Sequence, residues 1–387
     1  MPDSGYFDIE SGDALALAVL TERVLDVDGL DFAHAVERNV PLYNIASLDG
    51  QLRDPARRRA LMAEWAWVLK EGSGVLVLQG ALPDMAVIDR VTAIFETIIA
   101  QEKAHGGGAD HFAASGANDR VWNAVQKLCL ADPEAFARYF GNLAIDAVCE
   151  AWLGPFYQLT AQVNLVRPGG AAQRVHRDYH LGFQTAAIAA RFPAHVHDLS
   201  AVMTLQGAVA HTDMPLDSGP TQLLPFSQLF APGYMAYRRD EFANLFAERS
   251  VQLPLGKGDA LFFNPALFHA AGENRTTDIH RMANLLQISS AFGRAMESVD
   301  RSAMCKALYP VLRDLRASAS LPPEAVDAAI AAAAEGYSFP TNLDTDPPES
   351  GLAPETQAAL LRRGLAESMT PDAFAAALDA SEARRAP

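Results

Sequence analysis

Val175-His176-Arg177-Asp178-Tyr179-His180 sets an imidazole and a carboxylate two residues apart. Along an extended chain residues i and i+2 face the same way, so His176 and Asp178 can present a nitrogen and an oxygen to one ion. Far downstream, His269 in Asn264-Pro265-Ala266-Leu267-Phe268-His269 is the candidate third donor. Two neutral imidazoles and one carboxylate on one face of an octahedral ion leave its other positions open, the arrangement of non-haem Fe(II) sites that use O2. These residues point to iron-dependent oxidation.

His-x-Asp is a weak signal by itself. With 10 histidines and aspartate at about one position in fourteen, roughly 0.7 matches arise by chance in a chain of this length. Two occur, the second being His211-Thr212-Asp213, so the surrounding elements have to choose between them.

Those elements fall into three stretches. Apolar residues at three- and four-residue spacing predict helices over 13–36 and 55–71. Gly74 to Leu78 reads as a strand, followed by a helix from Met85 to Ala100. Gly106-Gly107-Gly108 interrupts that pattern and predicts a mobile loop near Asp110 and His111, and residues 133–152 read as helix. From Tyr157 to Ser290 short apolar strands alternate with Pro and Gly turns, the clearest being Gln162–Val166, Ala201–Val209, Thr221–Leu224, Asp259–Phe263 and Met282–Ser289. Short strands without long helices between them predict a mainly β core with α flanks, a sandwich or barrel that includes the double-sheet jelly roll. Beyond Met296 the chain turns helical and alanine-rich. Pro322-Pro323-Glu324 opens one helix, Thr370-Pro371-Asp372 caps another, and Phe339 to Pro354 reads as a loop. The expected organisation is an N-terminal helical extension (1–73), a β-rich domain with supporting helices (74–295) and a C-terminal helical extension (296–387).

With 387 residues, 50% of them hydrophobic, the chain can bury a large core. Its 31 basic and 47 acidic side chains give a net charge of −16, which repels phosphate backbones and anionic membranes. That argues against nucleic-acid and membrane partners and leaves a small-molecule substrate. Cys129, Cys149 and Cys305 form no disulfide or zinc pattern and read as buried apolar residues in a reducing compartment. Met-Pro-Asp-Ser-Gly lacks the regions of a signal peptide and no apolar run reaches membrane-span length, so the expected location is cytoplasmic. The C-terminal helices leave two options open, capping of the pocket or a homodimer.

Several further blocks stand in order along the chain. Leu165-Val166-Arg167-Pro168-Gly169-Gly170 ends a strand and turns just before His176. Asp217-Ser218-Gly219-Pro220-Thr221 runs into Leu223-Leu224-Pro225-Phe226-Ser227. Gly256-Lys257-Gly258-Asp259-Ala260-Leu261-Phe262-Phe263 leads to His269, and Ala271-Gly272-Glu273-Asn274-Arg275 precedes His280-Arg281. From Gly74 to Ser290 this set resembles the phytanoyl-CoA dioxygenase (PhyH) family of Fe(II)/2-oxoglutarate-dependent oxygenases. The family pattern has Pro-Gly-Ser-His where this chain has Pro225-Phe226-Ser227-Gln228.

The resemblance implies a double-stranded β-helix (jelly roll, cupin-like) and selects His176 and Asp178 over His211 and Asp213, because the ligand pair follows the strand and Pro-Gly turn. It implies His176, Asp178 and His269 as ligands of Fe(II), with 2-oxoglutarate chelating through its keto-acid end and O2 taking the last position. Asp178 stands where related halogenases have a small residue, which implies hydroxylation. Arg281, 12 residues after His269, stands where the family places the arginine that holds the far carboxylate; Arg275, 6 residues after, is the rival. Gln162, Asn164 and Thr221 are further candidates for contacts to the cosubstrate, Gln162 and Asn164 sharing one strand face that should look inward.

Each assignment has a plainer alternative. His176 and Asp178 can be a surface pair, His269 a core histidine on a backbone carbonyl, and Arg281 a salt-bridge partner of Asp278 or Glu273. His180 has the same spacing to Asp178 as His176 and reads as lying behind the ligands or facing substrate. His211 reads as a pocket wall or a solvated strand end, His195 and His197 as part of a polar loop, and Tyr179, Phe183 and Gln184 as pocket walls, with core packing equally open for the aromatics. Two other functions fit the same residues: a metal-dependent cupin-type enzyme that does not use 2-oxoglutarate, and a non-catalytic 2-oxoglutarate or metal sensor.

Overall fold

The computed structural model describes residues 5–105, 118–339, 342–348 and 352–386. The expected loop around Gly106, Asp110 and His111 lies outside them. Ten strands run through the described residues: β1 (Ala35–Glu37), β2 (Val40–Asn44), β3 (Val75–Gln79), β4 (Asn118–Val121), β5 (Gln158–Val166), β6 (Thr204–Ala210), β7 (Gln222–Leu224), β8 (Ala260–Phe263), β9 (Phe268–Ala270) and β10 (Arg281–Ser289). Eight form one sheet in the order β1-β2-β3-β8-β6-β10-β5-β4, and β7 pairs with β9 in a second. Only β2 and β3 pair in parallel.

Alternation along each strand sorts the large sheet into two faces. Leu159, Ala161 and Val163 of β5, Leu205 and Val209 of β6, and Leu286 and Ile288 of β10 enter one apolar core. Helices Pro55–Lys70, Met85–Ala104, Ala124–Ala131, Pro133–Phe140 and Leu143–Leu153 bury their apolar sides in the same core. So do the C-terminal helices Arg301–Ala317, Pro323–Ala333, Gln357–Ala366 and Pro371–Arg385, so these helices cover this face of the sheet, while Met296 ahead of them lines the cavity on the other. Each fully buried Leu or Phe contributes about 1.5–3 kcal/mol, which makes the helix-covered face the main source of stability. On the opposite face Gln162, Leu285 and Ala208 lie side by side in register, as do Asn164 and Ala283, and Gln206 and Gln287. They line a cavity of about 510 Å³ between the two sheets.

Three expectations change. Residues 13–36 do not form one helix: Ala14–Leu20 is followed by a 3-10 turn at Val27–Gly29 and then β1. Asp26 accepts from the Asp28 N–H at 3.1 Å, a local bond that competes with helical pairing. Residues 133–152 split at Gly141, because Asn142 caps a second helix by accepting from Ala144 and Ile145. The strand expected from Ala201 begins at Thr204, and Ala194–Val202 is helical, carrying His195 and a buried His197 where a polar loop was expected.

His211 is neither a pocket wall nor a solvated strand end. It is 1% exposed and points into the helix-covered side of the sheet. Thr92 Oγ1 donates to Ile88 O and so accepts from His211 Nδ1 at 2.8 Å; Tyr139 then donates to His211 Nε2 at 2.9 Å. This pattern fits a neutral ring, and burial brings its pKa down to about 3. The unfolded chain takes up this proton below its ordinary value of 6.5 while the folded chain refuses it down to about 3. Stability is therefore lost as pH falls through that window, by at most about 1.4 kcal/mol per pH unit from this group. Urea denaturation of His211→Gln between pH 4 and 6 is expected to show a slope shallower by about one proton; an unchanged slope would contradict it.

Candidate metal centre

His176 bridges β9. Its N–H donates to His269 O at 3.0 Å, and its carbonyl accepts from His269 N–H at 3.1 Å. The two histidines are thus cross-strand neighbours with ring centroids 4.4 Å apart. Asp178 N–H donates to Pro265 O at 3.1 Å, which ties the ligand segment to the turn before β9. That turn is an Asn264 motif, its Oδ1 accepting from Ala266 N–H at 2.9 Å and its Nδ2 donating to Leu69 O at 3.2 Å.

Nδ1 of His176 lies 2.9 Å from Arg174 O and Nδ1 of His269 lies 2.8 Å from Leu267 O. A carbonyl can only accept, so both Nδ1 atoms carry a proton, and Nε2 is the atom each ring has left to offer an ion. Those Nε2 atoms face Asp178, with His269 Nε2 3.4 Å from Oδ2 and His176 Nε2 3.7 Å from Oδ1. One donor atom from each residue lies within 4.8 Å of the other two. Burial, reinforced by His269, lowers the His176 pKa and keeps the ring neutral. Burial pushes Asp178 up, but His269, His176 and Gln206 hold it well below the usual carboxylate range. Three ligand atoms that converge this closely in one cavity make a place for a cation, and this donor set fits Fe(II).

Arg281 opens β10 and lines the same cavity, 7% exposed. Its Nη1 donates to Ser218 O at 2.9 Å and to Gly272 O at 3.3 Å, and it has no carboxylate partner among the described residues. Burial brings its pKa down to about 10, leaving it charged. A buried guanidinium whose partners among the described residues are carbonyls favours an anion in the cavity, and the far carboxylate of 2-oxoglutarate fits it. Arg275, by contrast, pairs with exposed Asp217 at 3.1 Å and does not line the cavity. Asn274 fixes this corner: fully buried, it donates to Val166 O at 3.2 Å and Ile279 O at 2.8 Å, tying the end of β5 to the approach of β10. Gln162, Asn164 and Thr221 all line the cavity, Gln162 accepting from Arg120 at 2.8 Å.

Other expected wall residues divide. Phe183 lines the cavity; Tyr179 is buried and does not line it, nor does Gln184, whose carbonyl accepts from Arg238 at 2.7 Å. Tyr179 and His180 take left-handed backbone angles (φ 64° and 39°), which end the alternation at Asp178. His180 therefore turns to Ser200, 3.2 Å away, and lies outside the donor cluster. Arg177, between the ligands, points the opposite way. It donates to Ser227 O at 2.6 Å and Phe230 O at 3.0 Å and lies against the rings of Tyr234 and Phe268. A side chain at Gly233 would come within 1.9 Å of its guanidinium carbon, so Gly233 is what lets this anchor seat. Phe226, where the family pattern has Gly, keeps a left-handed φ of 69° and buries its ring in the core.

Sequence reasoning missed Gln206, Arg177 and Asn274. The one available signal for Gln206 was a polar residue at an inward position of an otherwise apolar strand.

A mostly β core flanked by helices, with a two-histidine, one-carboxylate donor set and a buried arginine in one cavity, defines a metal-dependent oxygenase class. The family model for phytanoyl-CoA dioxygenase (PhyH) matches residues 71–283. The chain belongs to this family of Fe(II)/2-oxoglutarate-dependent oxygenases, which use Fe(II), 2-oxoglutarate and O2. It is 29% identical over 147 residues to the dioxygenase trt7 of Aspergillus terreus, a stretch covering 38% of this chain and 46% of that protein. The match thus spans under half the length of that relative. Among solved structures it is similar to the non-haem α-ketoglutarate-dependent epimerase SnoN from nogalamycin biosynthesis (TM-score 0.41, 21% identity, 62% of this chain and 82% of that one). It is also similar to the carbocyclase SnoK (TM-score 0.40, 19% identity, 60% and 86%). No helix among the described residues is long and apolar enough to cross a membrane.

Proposed function

We propose that this protein hydroxylates an unactivated C–H bond of a small organic substrate, with His176, Asp178 and His269 as the Fe(II) ligands. The observation that carries the reading is the shared cavity, in which the three converging donors and the buried, acid-free Arg281 face one space. When bound, Fe(II) and 2-oxoglutarate supply an oxidant from O2, one oxygen atom ending in succinate, released with CO2, and the other in the product hydroxyl. The chain's own part is positional. Arg281 holds the far carboxylate of the cosubstrate, Gln162, Asn164 and Thr221 offer it polar contacts, and Asp178 keeps a coordination position that a small residue would leave open. That last point favours hydroxylation over halogenation.

The two facing sheets support a double-stranded β-helix for residues 74–295, with 1–73 and 296–387 as extensions that lengthen one sheet edge and cover the helical face. Three buried, unpaired cysteines support a reducing, cytoplasmic location. Incubation with Fe(II), 2-oxoglutarate, ¹⁸O2 and a panel of small substrates is expected to yield succinate and a hydroxylated product in equal amounts, with one labelled atom in the product. Substrate oxidation that proceeds undiminished without 2-oxoglutarate would sink the proposal in favour of a cupin-type enzyme.

A further inference from the structure

Gln206 lies on β6, 4% exposed, facing the cavity. Its Nε2 donates to Asp178 Oδ2 at 2.6 Å. The orientation of the amide is fixed by chemistry, since a carboxylate without a proton can only accept and must therefore meet the NH2 end. The other end, Oε1, is buried and has no hydrogen-bond partner among the described residues. A buried amide that leaves its carbonyl unpaired is held in place for what its NH2 does, and here that is one bond to Asp178.

We propose that Gln206 is the positioning residue for Asp178, holding one carboxylate oxygen so that Asp178 meets the metal with the other. This rests on the metal assignment of His176, Asp178 and His269. A neutral amide suits the task. It orders the carboxylate without neutralising it, whereas Lys or Arg at this place would form an ion pair and weaken the oxygen as a donor. Gln206 is aligned in register with Gln287 of β10 and Phe263 of β8, so the donor stands on the large sheet, whereas His269 stands on β9 of the small one and His176 bridges it.

Gln206→Met keeps the length and removes the donor. In anaerobic titrations of metal-free protein with Co(II), its affinity is expected to fall by about 10- to 100-fold, as for other groups that orient metal ligands. The Co(II) absorption spectrum should change while the melting midpoint of the metal-free protein stays at the wild-type value. Gln206→Leu provides a second reading if the Met variant does not fold. Folded variants with wild-type Co(II) affinity and spectrum would overturn the proposal, and so would loss of folding in both, which would make Gln206 a purely structural residue. If wild-type protein shows no saturable Co(II) binding that His176→Ala removes, the metal assignment itself falls, an outcome distinct from failure at Gln206.

Discussion

Asp178→Ala and His176→Ala are each expected to abolish substrate-dependent succinate formation while leaving the fold intact. Neither side chain anchors the fold. His176 is attached to β9 through backbone bonds that Ala retains, and the segment is seated by Arg177 and by the Asp178 N–H, not by the ligand side chains. What each substitution removes is one of three converging donor atoms. Loss of a group that merely orients a ligand costs about 10- to 100-fold in affinity or activity, and loss of the ligand itself is expected to exceed that. The measurement is succinate released per minute at saturating Fe(II) and 2-oxoglutarate, beside the circular dichroism of each variant. Full substrate-dependent turnover by a well-folded Asp178→Ala protein would refute the metal site.

Arg281→Ala is expected to raise the KM for 2-oxoglutarate far more than it lowers kcat. A buried cation paired with the cosubstrate's carboxylate is worth about 2–5 kcal/mol when truncated, or roughly 30- to 4,000-fold at 1.4 kcal/mol per tenfold. Arg281→Lys should recover only part of this, because an ammonium keeps the charge but loses the planar fork. Ser218 O and Gly272 O, which now receive the guanidinium, lose their donor in the Ala variant, so its stability should be measured alongside. Wild-type KM in a folded Arg281→Ala protein, together with no thermal shift on adding 2-oxoglutarate to wild type, would mean that this cavity does not take the cosubstrate. Arg275→Ala, whose side chain pairs with an exposed Asp217, is expected to leave the KM unchanged.

Much of the site was legible because its signals are local. His176 and Asp178 alternate on extended chain, Gln162 and Asn164 share a strand face, and both facts need only a few neighbouring residues. The helical tail was legible for a similar reason, through its alanine-rich periodicity and the proline and threonine at its helix starts. Failures came where a short-range bond or a distant surface decided. The Asp26 side chain interrupts the apolar period over 13–36, and Asn142 restarts a helix that periodicity alone continues. His197 and His211, polar in the sequence, are buried, His197 bonded to Ala189 O and His211 to Thr92 and Tyr139.

The sequence by itself determined the donor types, their order along the chain, the strand alternation that aims them and the acidic, half-hydrophobic composition. Tertiary structure decided which donors meet. His211-Thr212-Asp213 has the same spacing as His176-Arg177-Asp178, yet His211 falls on the helix-covered face of the sheet while His176 bridges His269 at the cavity. Arg281 and Arg275 are six residues apart, and only the register of β10 against β5, held by Asn274, turns one inward and leaves the other at the surface. Gln206, on the large sheet, reaches Asp178 in the cavity from a strand 28 residues further along the chain. The physical reason is one of range. Side-chain direction along a strand is fixed by its own backbone, whereas strand order and register come from hydrogen bonds and burial between segments far apart in the chain.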